Sequence, residues 1–354
     1  MFTGEASLTR SKLKVRLFLL FPLLVLILFL LNISLGSVHI PLSDLINITL
    51  GGQGDKSTWV NIVWQFRIPK ALTAVLAGFG LALSGLQMQT LFRNPLAGPF
   101  VLGITSGASL GVATLVMAGS LIGGIINYSG VSSWLLVLAA SGGAFLVFSL
   151  VMLVSTKIKD SMTLLVAGLM FGSATGAIVG IMQFFASAEQ LQLYLIWTFG
   201  SLGGLTWDEL KVLSIVIILG LALVITLMKP LNALLLGEEY AQSMGIPIKK
   251  SRIFIIISTS LLAGSITAFC GPIAFVGIAV PHLTRLMINT SDHKILLPAV
   301  GLTGAALLLI CDTIAQLPGS QYILPINAVT SLVGAPVIIW IILKRKNISK
   351  SFAG

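Results

Sequence analysis

Charge is scarce in this sequence: Lys, Arg, Asp and Glu make up only 9% of 354 residues, while 56% are hydrophobic. A soluble chain of this length needs far more charge to cover its surface, so a soluble globular fold is excluded. Cysteine and histidine are scarcer still. Cys270 and Cys311 lie in apolar stretches with no C-x-x-C spacing, which removes metal or redox work of that kind and leaves them as packing residues. His39, His282 and His293 are the only histidines, and no H-E-x-x-H occurs. No G-x-x-x-x-G-K-S/T occurs either, so the chain binds no nucleotide through a P-loop. Gly107-Ala108-Ser109-Leu110-Gly111 spells the G-x-S-x-G of esterases, but it sits inside an apolar helix instead of a strand-to-helix turn. Nothing supports a catalytic site or a metal site.

What the chain does have is long apolar runs. Six or more exceed 18 residues, and they do not alternate apolar with polar, so the fold class is an all-α polytopic membrane protein and not a barrel. Spans are expected near 17–36, 67–91, 98–118, 132–154, 161–186, 210–228, 252–270, 273–288, 295–316 and 324–343. The first run is too long for a signal peptide and no A-x-A site follows it, so it reads as a retained span. With the N-terminus in the cytoplasm, ten spans put 17 of the 21 Lys and Arg on the inner side and only Lys56, Arg67, Lys70 and Lys211 outside. That asymmetry obeys the positive-inside rule and brings both termini to the cytoplasm. Trp59, Trp64, Trp134, Trp197 and Trp207 fall at the outer interface and Trp340 near the inner one, as aromatic belts do. The net charge of +10 follows from inner loops and does not point to nucleic acid.

The longest polar interruption, the loop 229–252, falls on the cytoplasmic side. Glu238 to Met244 can make two helical turns, with Glu238 and Glu239 at the positive end, Gly245 as the residue after the cap and Pro247 blocking continuation. Lys249, Lys250 and Arg252 follow. A short capped helix between two spans reads as an element to be gripped by a partner.

Three other features stand out. Gly168, Gly172, Gly176 and Gly180 recur at four-residue spacing in the fifth span, with Gln183, Thr175 and Ser173 beside them, and Gly103, Gly107 and Gly111 do so in the third. They read either as close helix packing or as a smooth pathway wall or subunit interface. Arg67 and Lys70 stand three residues apart where the second span enters from outside, and read either as snorkelling cations or as a docking point for acidic residues. Asp312 is the one acid well inside a span. It reads as a packing or gate hydrogen bond more readily than as an ion site, because its span holds no second acid and no base. An ion-driven secondary transporter working without an ATPase would need such a site, so it stands as the alternative reading.

These stretches together resemble the FecCD-like permease subunits of type II, BtuC-like ABC importers for iron siderophores, haem and vitamin B12. The resemblance rests on Arg67-Ile68-Pro69-Lys70, Ser84-Gly85 with Gln89, Arg93-Asn94-Pro95-Leu96-Ala97-Gly98-Pro99 through Gly103, and Leu236 to Gly245. It continues through Gly271 to Gly277, Pro281 to Arg285, Asp292 to Lys294, Asp312 to Ala315, and Leu324 to Pro336. It implies a single permease domain of ten spans in the bacterial cytoplasmic membrane, surrounded by lipid and paired with a second, identical or different, permease subunit. It implies two ATP-binding cassette subunits that carry ATP-Mg and grip Leu236, Gly237, Glu238, Glu239, Ala241 and Gly245, while this chain binds no cofactor. It implies a periplasmic or surface-anchored substrate-binding protein docking on Arg67 and Lys70, and a pathway lined by the fifth and tenth spans, here with Gly168 to Gly180, Gln183, Asn327 and Thr330. The expected cargo is an iron chelate, a ferric siderophore first, with haem and cobalamin as further candidates. Two positions depart from the family: Gln316 stands where Arg is common, and Ile323-Leu324-Pro325-Ile326-Asn327 replaces the usual E-L-P-x-G.

Overall fold

The computed structural model of the chain describes residues 20–52, 55–118, 132–158, 161–317, 320 and 322–343. The basic residues of both termini, on which the expected orientation rests in part, lie outside the described residues, as does Lys159. All regular structure among the described residues is helical: α1 Leu20–Ser34, α2 Leu42–Thr49, α3 Ser57–Leu91, α4 Ile104–Ala118, α5 Ser133–Lys157, α6 Ser161–Phe185, α7 Ala188–Phe199, α8 Trp207–Thr226, α9 Met228–Leu235, α10 Glu238–Ser243, α11 Ile248–Cys270, α12 Val276–Ile288, α13 His293–Ala315 and α14 Ile326–Leu343. Helices α3, α5, α6, α8, α11 and α13 are long and apolar enough to cross a membrane. The shorter apolar helices α1, α4, α12 and α14 stand at the other four expected positions.

Boundaries differ from expectation where local chemistry intervenes. Helix α3 begins ten residues before the expected 67, so Pro69 lies inside a continuous helix. The π-turns Ile62–Arg67 lie just before Pro69, which has no backbone N–H to donate. Helix α8 starts at Trp207 because Thr206 and Glu209 form a capping box. Helix α4 is preceded by a 3-10 turn, Pro99–Leu102, and α12 by the irregular stretch 271–275. Helices α2, α7 and α9 were not expected, being short and placed in connections.

The fold is organised around α3. Of the 24 residues Ile68–Leu91, 19 are buried, far more than a lipid-facing helix would show. Lipid gives helices no hydrophobic reason to associate, so close contact depends on small residues that let backbones touch. A Cβ at Gly85 would stand 1.7 Å from the carbonyl oxygen of Gly277 in α12, and one at Gly78 would stand 2.3 Å from that of Gly304 in α13. The same device joins α4 to α5, where a Cβ on Gly111 would meet the Ala139 carbonyl at 1.8 Å and one on Gly107 the Gly143 carbonyl at 2.6 Å. Two glycine-packed groups result, α3–α12–α13 and α4–α5–α6. Polar side chains supplement them: Gln89 of α3 donates to the Ile278 carbonyl at 3.0 Å and accepts from Arg285 at 3.3 Å, both in α12.

Gly85→Ala is expected to force α3 away from α12 and to cost at least ~3 kcal/mol of stability, the upper part of the overpacking range. Gly176→Ala, with nothing near its new methyl, is expected to be neutral or stabilising in the isolated subunit. Thermal unfolding of both variants in detergent checks the pair.

Candidate functional site

On the cytoplasmic side of the sequence-based topology, the loop 229–252 is almost wholly helical. Helix α9 runs to Leu235, Gly237 turns the chain at φ +114°, and α10 follows as a separate short helix. Gly245 at φ +80° ends it, and the amide of Ile246 returns to the Ala241 carbonyl at 3.0 Å. Both glycines occupy conformations that L-residues rarely adopt, which is why the sequence places them there. Ala241 is fully buried and anchors α10 to the body, while Leu236, Tyr240 and Met244 are exposed and large. Glu239 is exposed beside them. A short helix with Tyr240 exposed on it, flanked by exposed Leu236 and Met244, has the form of a docking element.

The basic group divides in two. Lys249 and Lys250 are exposed in the first turn of α11. Arg252 is buried: its guanidinium pairs with Glu238 at 3.1 Å and donates to the Ile158 carbonyl, just past α5, at 2.8 Å. At the other end of the loop, Asn232 donates to Asp292 at 3.0 Å and accepts from the backbone amide of His293 at 2.9 Å. The His293 ring lies between Asn232 Oδ1 at 2.7 Å and the Thr90 hydroxyl at 3.1 Å. The Lys294 amide and Asn232, both donating to Asp292, hold its carboxyl below the usual carboxylate range.

At the opposite end of α3 the two singled-out cations are engaged within the chain. Arg67 is buried and donates to the carbonyls of Ile33 at 2.7 Å, Ser34 at 3.1 Å and Val38. Gly36 leaves room for it, since a Cβ there would stand 2.8 Å from the guanidinium. Lys70 pairs with Asp312 at 3.2 Å, so the base missing from the span of Asp312 comes from α3. Asn32 at 2.9 Å and Gln316 at 2.8 Å donate to the other oxygen of the same carboxylate. A cavity of about 200 Å³ opens on Lys70 and Asp312 and is walled by the loop Gly200–Gly204 and by Ile323 and Leu324.

The glycine row of α6 splits. Gly168 and Gly172 face the segment 101–106, with a Cβ at Gly168 only 2.3 Å from the Val101 carbonyl, whereas Gly176 and Gly180 face open space. Four residues advance a helix by a full turn plus about 40°, so the row winds off one face within three turns. Gln183 is half-buried beyond it. Asn327 is a staple: its Oδ1 accepts from the Ala274 amide at 3.1 Å and its Nδ2 donates to the Thr198 carbonyl at 3.5 Å, joining α14 to the irregular stretch and to α7. Thr330 is buried and donates to the Asn327 carbonyl at 3.2 Å. Sequence reasoning missed α7, although Ser187 and Gln190 form a capping box that marks its start. It also missed Asn32 and Asn232, whose partners lie far away in sequence.

A bundle of apolar helices with a short, exposed helix at one end and a walled cavity at the other is the form of a transport permease. The chain belongs to the FecCD transport family, which it matches over residues 24–344, and it is an ABC permease of the BtuC-like kind. It is 35% identical over 330 residues to the vitamin B12 import system permease protein BtuC of Salmonella typhi, covering 93% of this chain and 95% of that one. It is 37% identical over 284 residues to the same permease of Klebsiella pneumoniae subsp. pneumoniae, covering 80% and 83%. A solved structure described as an inward-facing metal-chelate type ABC transporter superposes with a TM-score of 0.80 at 28% identity, covering 93% of this chain and 99% of the other.

Lys70→Met, which strands a buried carboxylate, is expected to cost about 3 kcal/mol. Lys70→Met combined with Asp312→Asn is expected to recover at least half of that loss, as read from thermal unfolding of the purified subunit.

Proposed function

We propose that the chain crosses the bacterial cytoplasmic membrane ten times with both termini inside, and that two such permease subunits, identical or different, enclose one pathway. Charge asymmetry supports the orientation. Open space beside Gly176 and Gly180 supports α6 as a pathway or subunit face. Two separate ATPase subunits, which carry ATP-Mg, seat on Leu236, Tyr240 and Met244, around Gly237, Glu238, Glu239, Ala241 and Gly245. Their closure rocks the helices between outward and inward states, and no covalent chemistry occurs on this chain. An external binding protein docks at the outer mouth above Arg67 and Lys70, where the cavity walled by Gly200–Gly204 opens.

The cargo is a bulky metal chelate. The observation that carries this reading is the match of nearly the whole chain to the FecCD transport family, together with the likeness to a metal-chelate type transporter. A ferric siderophore is the first reading. The vitamin B12 permeases among the relatives favour a corrinoid as the second. Vesicles holding this chain, its ATPase and its binding protein are expected to take up one of labelled ferric siderophore, haem or cobalamin only when ATP is present. Uptake driven by an ion gradient without ATPase would overturn the reading.

A further inference from the structure

The coupling segment has two polar anchors: the first lies on α3 and α13, and the second lies on α11, which packs against α3, α5 and α8 and reaches the inner end of α5 through Arg252. Asn232 of α9 is fixed to the Asp292 carboxylate, the His293 amide and the His293 ring, and that ring reaches Thr90. Thr90 ends α3 and His293 starts α13, the two helices whose backbones touch at Gly78 and Gly304. Glu238 of α10 is fixed instead to Arg252 of α11, which also holds the Ile158 carbonyl at the inner end of α5. Helix α5 belongs to the other glycine-packed group, with α4 and α6. Between the anchors stands Gly237, at φ +114°, where a side chain would be strained.

We infer that the coupling segment is a split lever. Asn232 ties its first half to α3 and α13, the Glu238–Arg252 pair ties its second half to the inner end of α5, and Gly237 is the joint between them. This rests on the reading that α10 receives the ATPase. It changes the role of Glu238: the carboxylate faces inward as a strut, and Tyr240 and Met244 present the outer contact. A push on α10 then turns it about Gly237 and moves one helix group against the other. A segment fixed to a single group would only carry that group along. Asn232, Glu238 and Arg252 are positioning residues for the transport cycle, acting through helices they do not belong to.

The test uses the full transporter in vesicles, with cargo transported per ATP hydrolysed as the readout. Asn232→Ala and Arg252→Lys, each alone, are expected to leave ATPase assembly and hydrolysis intact and to lower that ratio about tenfold; the lysine keeps the charge but reaches only one of the two acceptors, Glu238 and the Ile158 carbonyl. The double variant is expected to lose no more than either single one, because a lever needs both ends fixed. Losses that multiply, or a ratio that stays at the wild-type value, would overturn the proposal. If Arg252→Lys fails to accumulate in the membrane, Arg252→Gln replaces it, with the same expected and contrary outcomes. Tyr240→Glu tests the underlying docking reading separately. Loss of ATPase binding in that variant with unchanged ratios in the anchor variants would sink the lever alone, whereas normal ATPase binding and uptake would sink the docking reading.

Discussion

Backbone contact at glycine is the constraint on which the rest of this structure depends. Within lipid an apolar surface gains nothing by leaving its surroundings, so helices hold together by dispersion at very short range and by the few polar groups that find partners. Helix α3 meets α12 at Gly85 and Gly277 and α13 at Gly78 and Gly304, at distances where one methyl group would collide with a carbonyl oxygen. Such contacts have no slack. They make α3, α12 and α13 move together, and the matching contacts at Gly107, Gly111 and Gly143 do the same for α4 and α5. In the proposed transport cycle, motion falls at the joints between the groups.

Polar side chains do a different task. Several link elements far apart in sequence: Arg67 to the end of α1, Lys70 to Asp312, Asn327 to the stretch before α12, and Arg252 to the inner end of α5. A buried charge or amide is costly unless its partner is in place, so these pairs specify which helices meet and at what height. On the proposed reading, Arg67 and Lys70 lie at the surface where a binding protein docks and Arg252 beside the segment that an ATPase grips, so docking there would act directly on the packing.

Much of this was legible in the sequence. Ten apolar segments are visible from length and composition, and each coincides with an apolar helix. The short helix α10 was legible from Glu238, Gly245 and Pro247 because helix ends are set by local chemistry. Three things were not. The partners of Arg67, Lys70 and Arg252 come from other elements of the chain, and no local pattern reveals them. The row from Gly168 to Gly180 looked like one face because four-residue spacing approximates the helical repeat, yet it drifts, and only its first half packs. The connecting helices α7 and α9 are too short to register as spans, although the capping box at Ser187 and Gln190 marked the first of them.

The central claim is that ATPase closure moves the coupling segment while the glycine-packed core stays rigid. Amide hydrogen exchange on the assembled transporter, with and without a non-hydrolysable ATP analogue, tests it most directly. Protection is expected to change across residues 236–246 and to stay constant from Gly78 to Gly85. Constant exchange across 236–246 with altered exchange between Gly78 and Gly85 would contradict the account.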